Sequence, residues 1–477
     1  MAPSDASSAS SDASAPGAPA ASAAPSASPE LARAIGPLML IVLIVGDILG
    51  AGIYALVGNL ARHVGGAVWL PLAIGFAVAA LTAASYAELV GKYPRAAGAA
   101  LYTHRAFRRP FFTFVVAFAV LMSGVSSASA AALMFGGKYL AQLVEAPRLL
   151  AALGFLGAIT AVNFIGISQS IKVNLVLTAI ELGGLLIVLA VGLIAILGGV
   201  GDTSRALALD APAGPAAGVL AATALGFYAL IGFEDSVNLA EECRAPARTF
   251  PRALFVGITL TGVLYVAIAC VAVTLVPPAQ LGRSSAPLLE VVAAAGVAFP
   301  PWLFAIIALL AISNTALMNM IMASRLLYGM AREGIVPRPL ARVHARRRTP
   351  YVAIAFTVAI AAALVLSSVV VEDGVAALAT TTVVLLLVVF AVVNIAAIVL
   401  RRRPVAHAHF RAPAWAPPLG AAACLLLASP AAGIPPHVYV IAGSLVGVGA
   451  LLWLVTTRVT RAPGALTAQT EAALGDA

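Results

Sequence analysis

The chain has 477 residues, of which 62% are hydrophobic and 10% charged, and its mean hydropathy is +1.03; it must cross a bilayer many times, so a soluble globular domain is excluded. The +9 net charge does not stand for a nucleic-acid partner, because the basic residues are divided among short connections and gather on no soluble domain. Cys243, Cys270 and Cys424 are too scattered for a disulfide framework or a metal cluster, and nothing in the chain calls for a cofactor.

In chain order, residues 1–32 come first, almost wholly Ala, Ser, Pro, Gly and Asp up to residue 30, and read as a disordered cytoplasmic tail. The first apolar run begins only near Ile35 and continues as a full helix, so no cleaved signal is expected. With roughly 20 apolar residues needed per span, about twelve candidates follow, centred near residues 48, 78, 122, 160, 186, 228, 263, 315, 360, 388, 422 and 447. The eleventh is short and flanked by Pro417, Pro418 and Pro430. Residues 277–301 are too polar and proline-bounded to span, and read as an external loop with an amphipathic piece around Leu288-Leu289-Glu290-Val291-Val292.

Threading the chain with both termini in the cytoplasm leaves 23 of the 28 Lys and Arg inside; only Arg62, Lys138, Arg148, Arg205 and Arg283 fall outside. That asymmetry predicts N-in, C-in, with the protein in a cytoplasmic (inner) membrane. Arg342, Arg346, Arg347 and Arg348 form a basic cytoplasmic loop suited to touching anionic membrane lipid.

Two apolar runs are interrupted. The first reads Gly46-Asp47-Ile48-Leu49-Gly50-Ala51-Gly52-Ile53-Tyr54 and the second Phe227-Tyr228-Ala229-Leu230-Ile231-Gly232-Phe233-Glu234-Asp235. Irregular backbone at that depth survives only where it faces protein or a water-filled cavity. Gly46 and Gly50 alone fit G-x-x-x-G helix packing, but the acids after Gly232 are not explained that way. An unwound first break would let a half-helix start near Ile53, its free N–H groups and positive dipole end offering a carboxylate site. The breaks lie in the first helix of each of two groups of five. Five is odd, so the groups are expected to be inverted repeats, residues 33–200 and 215–402, with a solute site between them. Residues 413–458 supply helices 11 and 12, and 459–477 a cytoplasmic tail.

Gly50-Ala51-Gly52-Ile53-Tyr54 resembles the G-x-G-I-[FY] break of the amino acid–polyamine–organocation (APC) permeases. Tyr86-Ala87-Glu88-Leu89 with Tyr93-Pro94-Arg95 through Tyr102 resembles their helix 2 exit, although Ala97 replaces the first glycine of a Gly-Gly pair. Ile231-Gly232-Phe233-Glu234, with Glu241-Glu242, Pro246 and Pro251-Arg252-Ala253, resembles their helix 6 signature. The stretch Arg325-Leu326-Leu327-Tyr328-Gly329 through Pro337 and Thr349-Pro350 resembles the end of helix 8 and the loop after it. The likeness covers about residues 33–400, with the motifs in order. It implies an all-α polytopic LeuT-type fold, a 5+5 inverted repeat of about twelve helices with helices 1 and 6 unwound at mid-membrane, working by alternating access.

By the same resemblance, the N–H groups of Ala51, Gly52 and Ile53 would take a substrate carboxylate, and the carbonyls of Ile48, Tyr228 and Ile231 its ammonium. Tyr228 matches an aromatic that gates the pocket in relatives; a packed ring with a bonded hydroxyl is the alternative. Glu181, deep in helix 5, stands where some proton-coupled relatives hold a lysine. A carboxylate there could carry a proton, bind a cation or pair with an arginine. Glu234 is the second candidate for proton sensing. Ser313 and Asn314 lie where sodium-coupled members offer two hydroxyls, which leaves sodium open. The expectation is uptake of a neutral amino acid with a proton; an amino acid/amine exchanger and a sodium symporter remain as alternatives. A membrane enzyme is disfavoured because no histidine lies mid-span, and a sensor because neither tail offers an output domain. Oligomeric state is not legible.

Overall fold

Apolar runs become helices in the computed structural model, which describes residues 35–94, 98–165, 171–296, 299–368, 371 and 373–460. The tail 1–32, the Arg95-Ala96-Ala97 part of the helix 2 exit, the side chains of Glu241 and Glu242 and nearly all of the tail 459–477 lie outside the described residues. The helices are α1 (Pro37–Ile48), α2 (Ala51–Val64), α3 (Trp69–Lys92), α4 (Gly98–Phe107), α5 (Pro110–Phe135), α6 (Lys138–Ala141), α7 (Arg148–Ile165), α8 (Ile171–Leu197) and α9 (Pro215–Gly226). They continue as α10 (Pro246–Leu275), α11 (Pro278–Arg283), α12 (Pro287–Ala294), α13 (Pro301–Arg332), α14 (Tyr351–Ser367), α15 (Gly374–Leu400), α16 (Ala416–Ala428) and α17 (Pro436–Thr460). Pro37, Pro110, Pro215, Pro246 and Pro301 each open one of them, at the position where a missing N–H costs nothing and the fixed φ is already helical. Among the described residues β-pairing is confined to two isolated bridges, Ile35 with Cys243 and Gly65 with Leu209.

Each of the twelve expected centres falls in one of these helices or, for residue 228, in the 3-10 turn after α9. Length and apolarity carry nine described helices across a membrane, and ten when α1 and α2, bent by 46°, count as one span. The remaining two candidates are α14 and α16, with 17 and 13 residues, shorter than the ~20 a straight span requires. The most enclosed spans are those of α5 and α15, each 72% buried, whereas α7 and α17, at 28% and 22%, face outward. An all-α, multi-pass membrane protein results.

Both breaks are present as departures from the α-helix. α1 stops at Ile48, Leu49 and Gly50 are extended, and α2 begins at Ala51. α9 gives way to a 3-10 turn over Phe227–Leu230, Ile231 is extended, and a second 3-10 stretch covers Asp235–Glu242. Gly232, between them, has φ +125°, a conformation L-residues rarely adopt.

The loop 277–301 holds two short helices, α11 and α12, rather than one amphipathic piece. Leu281 and Leu288 are wholly buried, as are Ala286 and Val291, so this loop packs inward. Lys138 donates to Glu290 on α12, which also accepts from Ser284 Oγ (3.1 Å) and Gln280 (3.4 Å). Toward the other end, Arg401 grips Glu88 with two hydrogen bonds, 2.9 and 2.6 Å, and donates to the Ala412 carbonyl, while the Ala412 N–H donates back to Glu88. A buried ion pair needs this completeness, because its desolvation must be offset by every available partner.

Candidate substrate and coupling site

The two breaks meet. A Cβ added to Gly52 would lie 2.8 Å from Ala229 Cα and 3.2 Å from Tyr228 Cδ1, and one added to Gly232 would overlap the carbonyl of Asp47. Glycine is required here by close backbone approach. The G-x-x-x-G pair does not face a single helix: Gly46 admits Thr178 of α8, while Gly50 admits Thr315 of α13, 3.0 Å from an added Cβ. The bend between the two glycines turns them toward different neighbours.

The expected substrate groups lie on this junction. Ala51, Gly52 and Ile53 form the first turn of α2, whose amides have no acceptor within the helix. The Ala51 N–H donates to Thr315 Oγ1 at 3.1 Å, and the Ile48 carbonyl accepts from the Tyr265 phenol at 3.0 Å. Tyr228 is buried, its hydroxyl 2.9 Å from Ser127 Oγ, which also accepts from Asn319 at 3.4 Å. Ile231, extended and half-buried, is the one residue between the 3-10 turn and Gly232. Thus Ile48, Ala51, Gly52, Ile53, Tyr228 and Ile231 converge, and two of their backbone groups already bond to protein.

Glu181 sits beside the junction. Its main-chain carbonyl accepts from Tyr54 OH at 3.1 Å, and the Tyr54 carbonyl accepts from Tyr139 OH at 2.7 Å. The Glu181 side chain is fully buried. Asn314 approaches it, yet neither carboxylate oxygen has a partner in hydrogen-bonding geometry among the described residues. Nor does a described arginine pair with it. Of the three options for this acid, the arginine pair has no counterpart here.

The other candidates divide. Glu234 accepts from the Gly232 N–H at 2.9 Å, and Asp235 and Asp47 lie close enough to act on its carboxyl, so three acids gather on one side of the junction. Ser313 bonds back to the Leu309 carbonyl at 2.6 Å; the hydroxyl that reaches the break belongs to Thr315. No motif in the sequence marks Thr315 or Tyr265, although a phenol deep in an apolar run needs a partner and so carries a signal of its own. By sequence Arg62 is only an outside charge. It meets Asp373 at 3.2 Å and also donates to the Gly282 carbonyl, while Asn59 donates to Asp373 at 3.1 Å. These bonds tie α2, the α11 loop and the start of α15 together on the side of α2 away from the break.

The family described as amino acid permease matches residues 35–456. An uncharacterized transporter of Mycobacterium tuberculosis is 32% identical over 340 residues, 70% of this chain and 74% of the relative. The branched-chain amino acid permease BcaP of Bacillus subtilis is 27% identical, over 71% of this chain and 76% of its own. Cationic amino acid transporter 4 of Mus musculus is 28% identical, over 72% and 56%. In structure, a mutant of the Eremococcus coleocola manganese transporter aligns with a TM-score of 0.57 over 89% of this chain and 95% of that one, at 14% identity; that likeness concerns the fold.

Proposed function

Because this chain belongs to the amino acid permease family, we propose that it takes up a neutral amino acid across a cytoplasmic membrane by alternating access, driven by a proton. Amino acid transport follows from the family; the proton and the neutral substrate are our reading. The observation that carries it is Glu181, a fully buried carboxylate beside the junction of the two breaks, with no partner in hydrogen-bonding geometry and no counter-cation among the described residues. A bare charge is costly there, so the position suits a group that gains and loses a proton as the site changes exposure.

The neutral substrate is supported by the lining of the junction, where Ala51, Gly52, Ala229 and Ile231 offer small apolar surface. We assign the substrate carboxylate to the amides of Ala51, Gly52 and Ile53 and the ammonium to the carbonyls of Ile48, Tyr228 and Ile231. In this reading the carboxylate competes with Thr315 for the Ala51 amide, and the ammonium competes with Tyr265 for the Ile48 carbonyl. Residues 33–200 and 215–402 would act as inverted repeats, with α14 and α16 completing twelve helices and both termini in the cytoplasm. Asn314 with Thr315 favours a second reading, sodium coupling.

The deciding experiment is uptake of a panel of radiolabelled amino acids into proteoliposomes, with and without an inward pH gradient and with and without sodium. Uptake of neutral amino acids stimulated by the pH gradient supports the proposal. Dependence on sodium without response to pH moves the coupling site to Asn314 and Thr315. Flux only into preloaded vesicles would make the protein an exchanger.

A further inference from the structure

The 30 residues of α10 run for about 45 Å at 1.5 Å per residue, against a hydrocarbon core of about 30 Å. Its ends therefore lie at headgroup level. Arg248, Arg252, Val256, Leu260 and Val263 follow one another at i, i+4 or i, i+3 along one face. The three apolar members are 49%, 51% and 63% exposed, as side chains facing lipid are. The two arginines above them are exposed as well, and no hydrogen bond or ion pair is found for either side chain among the described residues.

These arginines border a depression of about 300 Å3, lined also by Ala247, Pro251, His409 and Phe410. Its far wall is fixed. The Phe410 ring meets Phe255 edge to face at 5.8 Å, His409 Nδ1 lies 3.3 Å from the His407 carbonyl, and His407 Nε2 lies 2.9 Å from the Gly91 carbonyl. Two exposed cations, one turn apart and unpaired among the described residues, thus stand at a built hollow directly above a lipid-facing apolar stripe.

We propose that this hollow binds the phosphate of an anionic phospholipid, held by Arg248 and Arg252, with its acyl chains lying along Val256, Leu260 and Val263. The charge asks for an anion, and the stripe continuing from the hollow into the hydrocarbon asks that the anion carry acyl chains. The site is separate from the basic loop of Arg342, Arg346, Arg347 and Arg348. It is also independent of what the protein transports.

The test uses the full chain in mild detergent, titrated with dioleoyl phosphatidylglycerol and followed by native mass spectrometry. The double variant Arg248→Gln/Arg252→Gln should bind the first lipid about 30-fold more weakly, taking each arginine near the surface at about fivefold. Arg248→Lys/Arg252→Lys should retain most of the affinity, and phosphatidylcholine should bind both proteins alike. Equal binding of phosphatidylglycerol by wild type and the double variant overturns the proposal. So does an equal loss in Arg346→Gln/Arg347→Gln, which would make the attraction diffuse. Displacement of the lipid by inorganic phosphate at comparable concentration would make the hollow a soluble-anion site instead. Wild-type protein gives an independent reading should the variants not fold: photoreactive phosphatidylglycerol should label α10 or residues 406–410, and labelling only elsewhere refutes the site.

Discussion

The phenol of Tyr54 donates to the main-chain carbonyl of Glu181 at 3.1 Å. Through it, the half-helix that follows the first break is fastened to the turn of α8 that presents the buried carboxylate. Tyr139 in turn donates to the Tyr54 carbonyl at 2.7 Å, so three segments far apart in sequence share one short chain of hydrogen bonds. A displacement of α2 would move the Glu181 turn with it.

Glu181→Gln is therefore expected to keep substrate binding and exchange while losing the acceleration of uptake by an inward pH gradient, because the amide keeps the shape but cannot exchange a proton. Counterflow and gradient-driven uptake in the same proteoliposomes separate the two. Should the variant stay fully gradient-driven, suspicion passes to Glu234, which the Gly232 amide already holds.

For the first break, Gly52→Ala should abolish uptake. That result alone is ambiguous, because the added Cβ would press on Ala229 Cα at 2.8 Å whether or not the amides bind a carboxylate. Thr315→Val resolves it: the variant frees the Ala51 amide at a cost of about 1 kcal/mol in stability. Apparent affinity should rise a few-fold as the competing acceptor disappears. Affinity unchanged in Thr315→Val would leave Gly52 as a packing residue only.

Tyr228→Phe should be mild, near 1 kcal/mol, since Ser127 keeps its bond from Asn319. Tyr228→Ala should be severe, about 3–5 kcal/mol for an emptied buried ring site, with transport lost. Thermal unfolding and uptake measured together give the order; the reverse order would make the phenol oxygen the working group.

On the loop, Lys138 holds the Glu290 carboxyl below its ordinary range, with Ser284 and Gln280 assisting. A folded-state value below the unfolded one means that the stabilisation is complete above about pH 4.5 and is lost as pH falls through the folded value. The seating of α12 should thus be insensitive to pH between 5 and 8 and loosen only in stronger acid. Glu290→Gln should loosen it at neutral pH by no more than about 1 kcal/mol, because the pair is partly exposed. Hydrogen exchange of residues 284–294 reads this directly. Loosening between pH 5 and 7 would point to another titrating group.

Both interruptions were legible because glycine and acid stand out in runs that are otherwise Leu, Val and Ala. Their mutual contact was not, since nothing local marks Gly52 and Ala229 as neighbours. Ser313 and Thr315 show the limit differently. Both are hydroxyls in one apolar helix, two residues and about 200° of helix apart, and only the rotation of α13 decides which faces the break. Arg62 and Asp373 are 311 residues apart, and their pairing depends on a left-handed turn that falls on Asp373 itself, φ +51°, rather than on the adjoining Gly374. The number of spans was blurred by α14 and α16, where apolarity is ample and length is not.

The contact of Gly232 with the carbonyl of Asp47 has a mechanical consequence. Backbone against backbone leaves no rotamers to absorb a displacement, so there is no slack between the two breaks. A step taken by one must be taken by the other in the same instant, or the joint must part altogether. The two half-helices should accordingly respond to solute as one rigid lever, with no stage at which only one of them has moved.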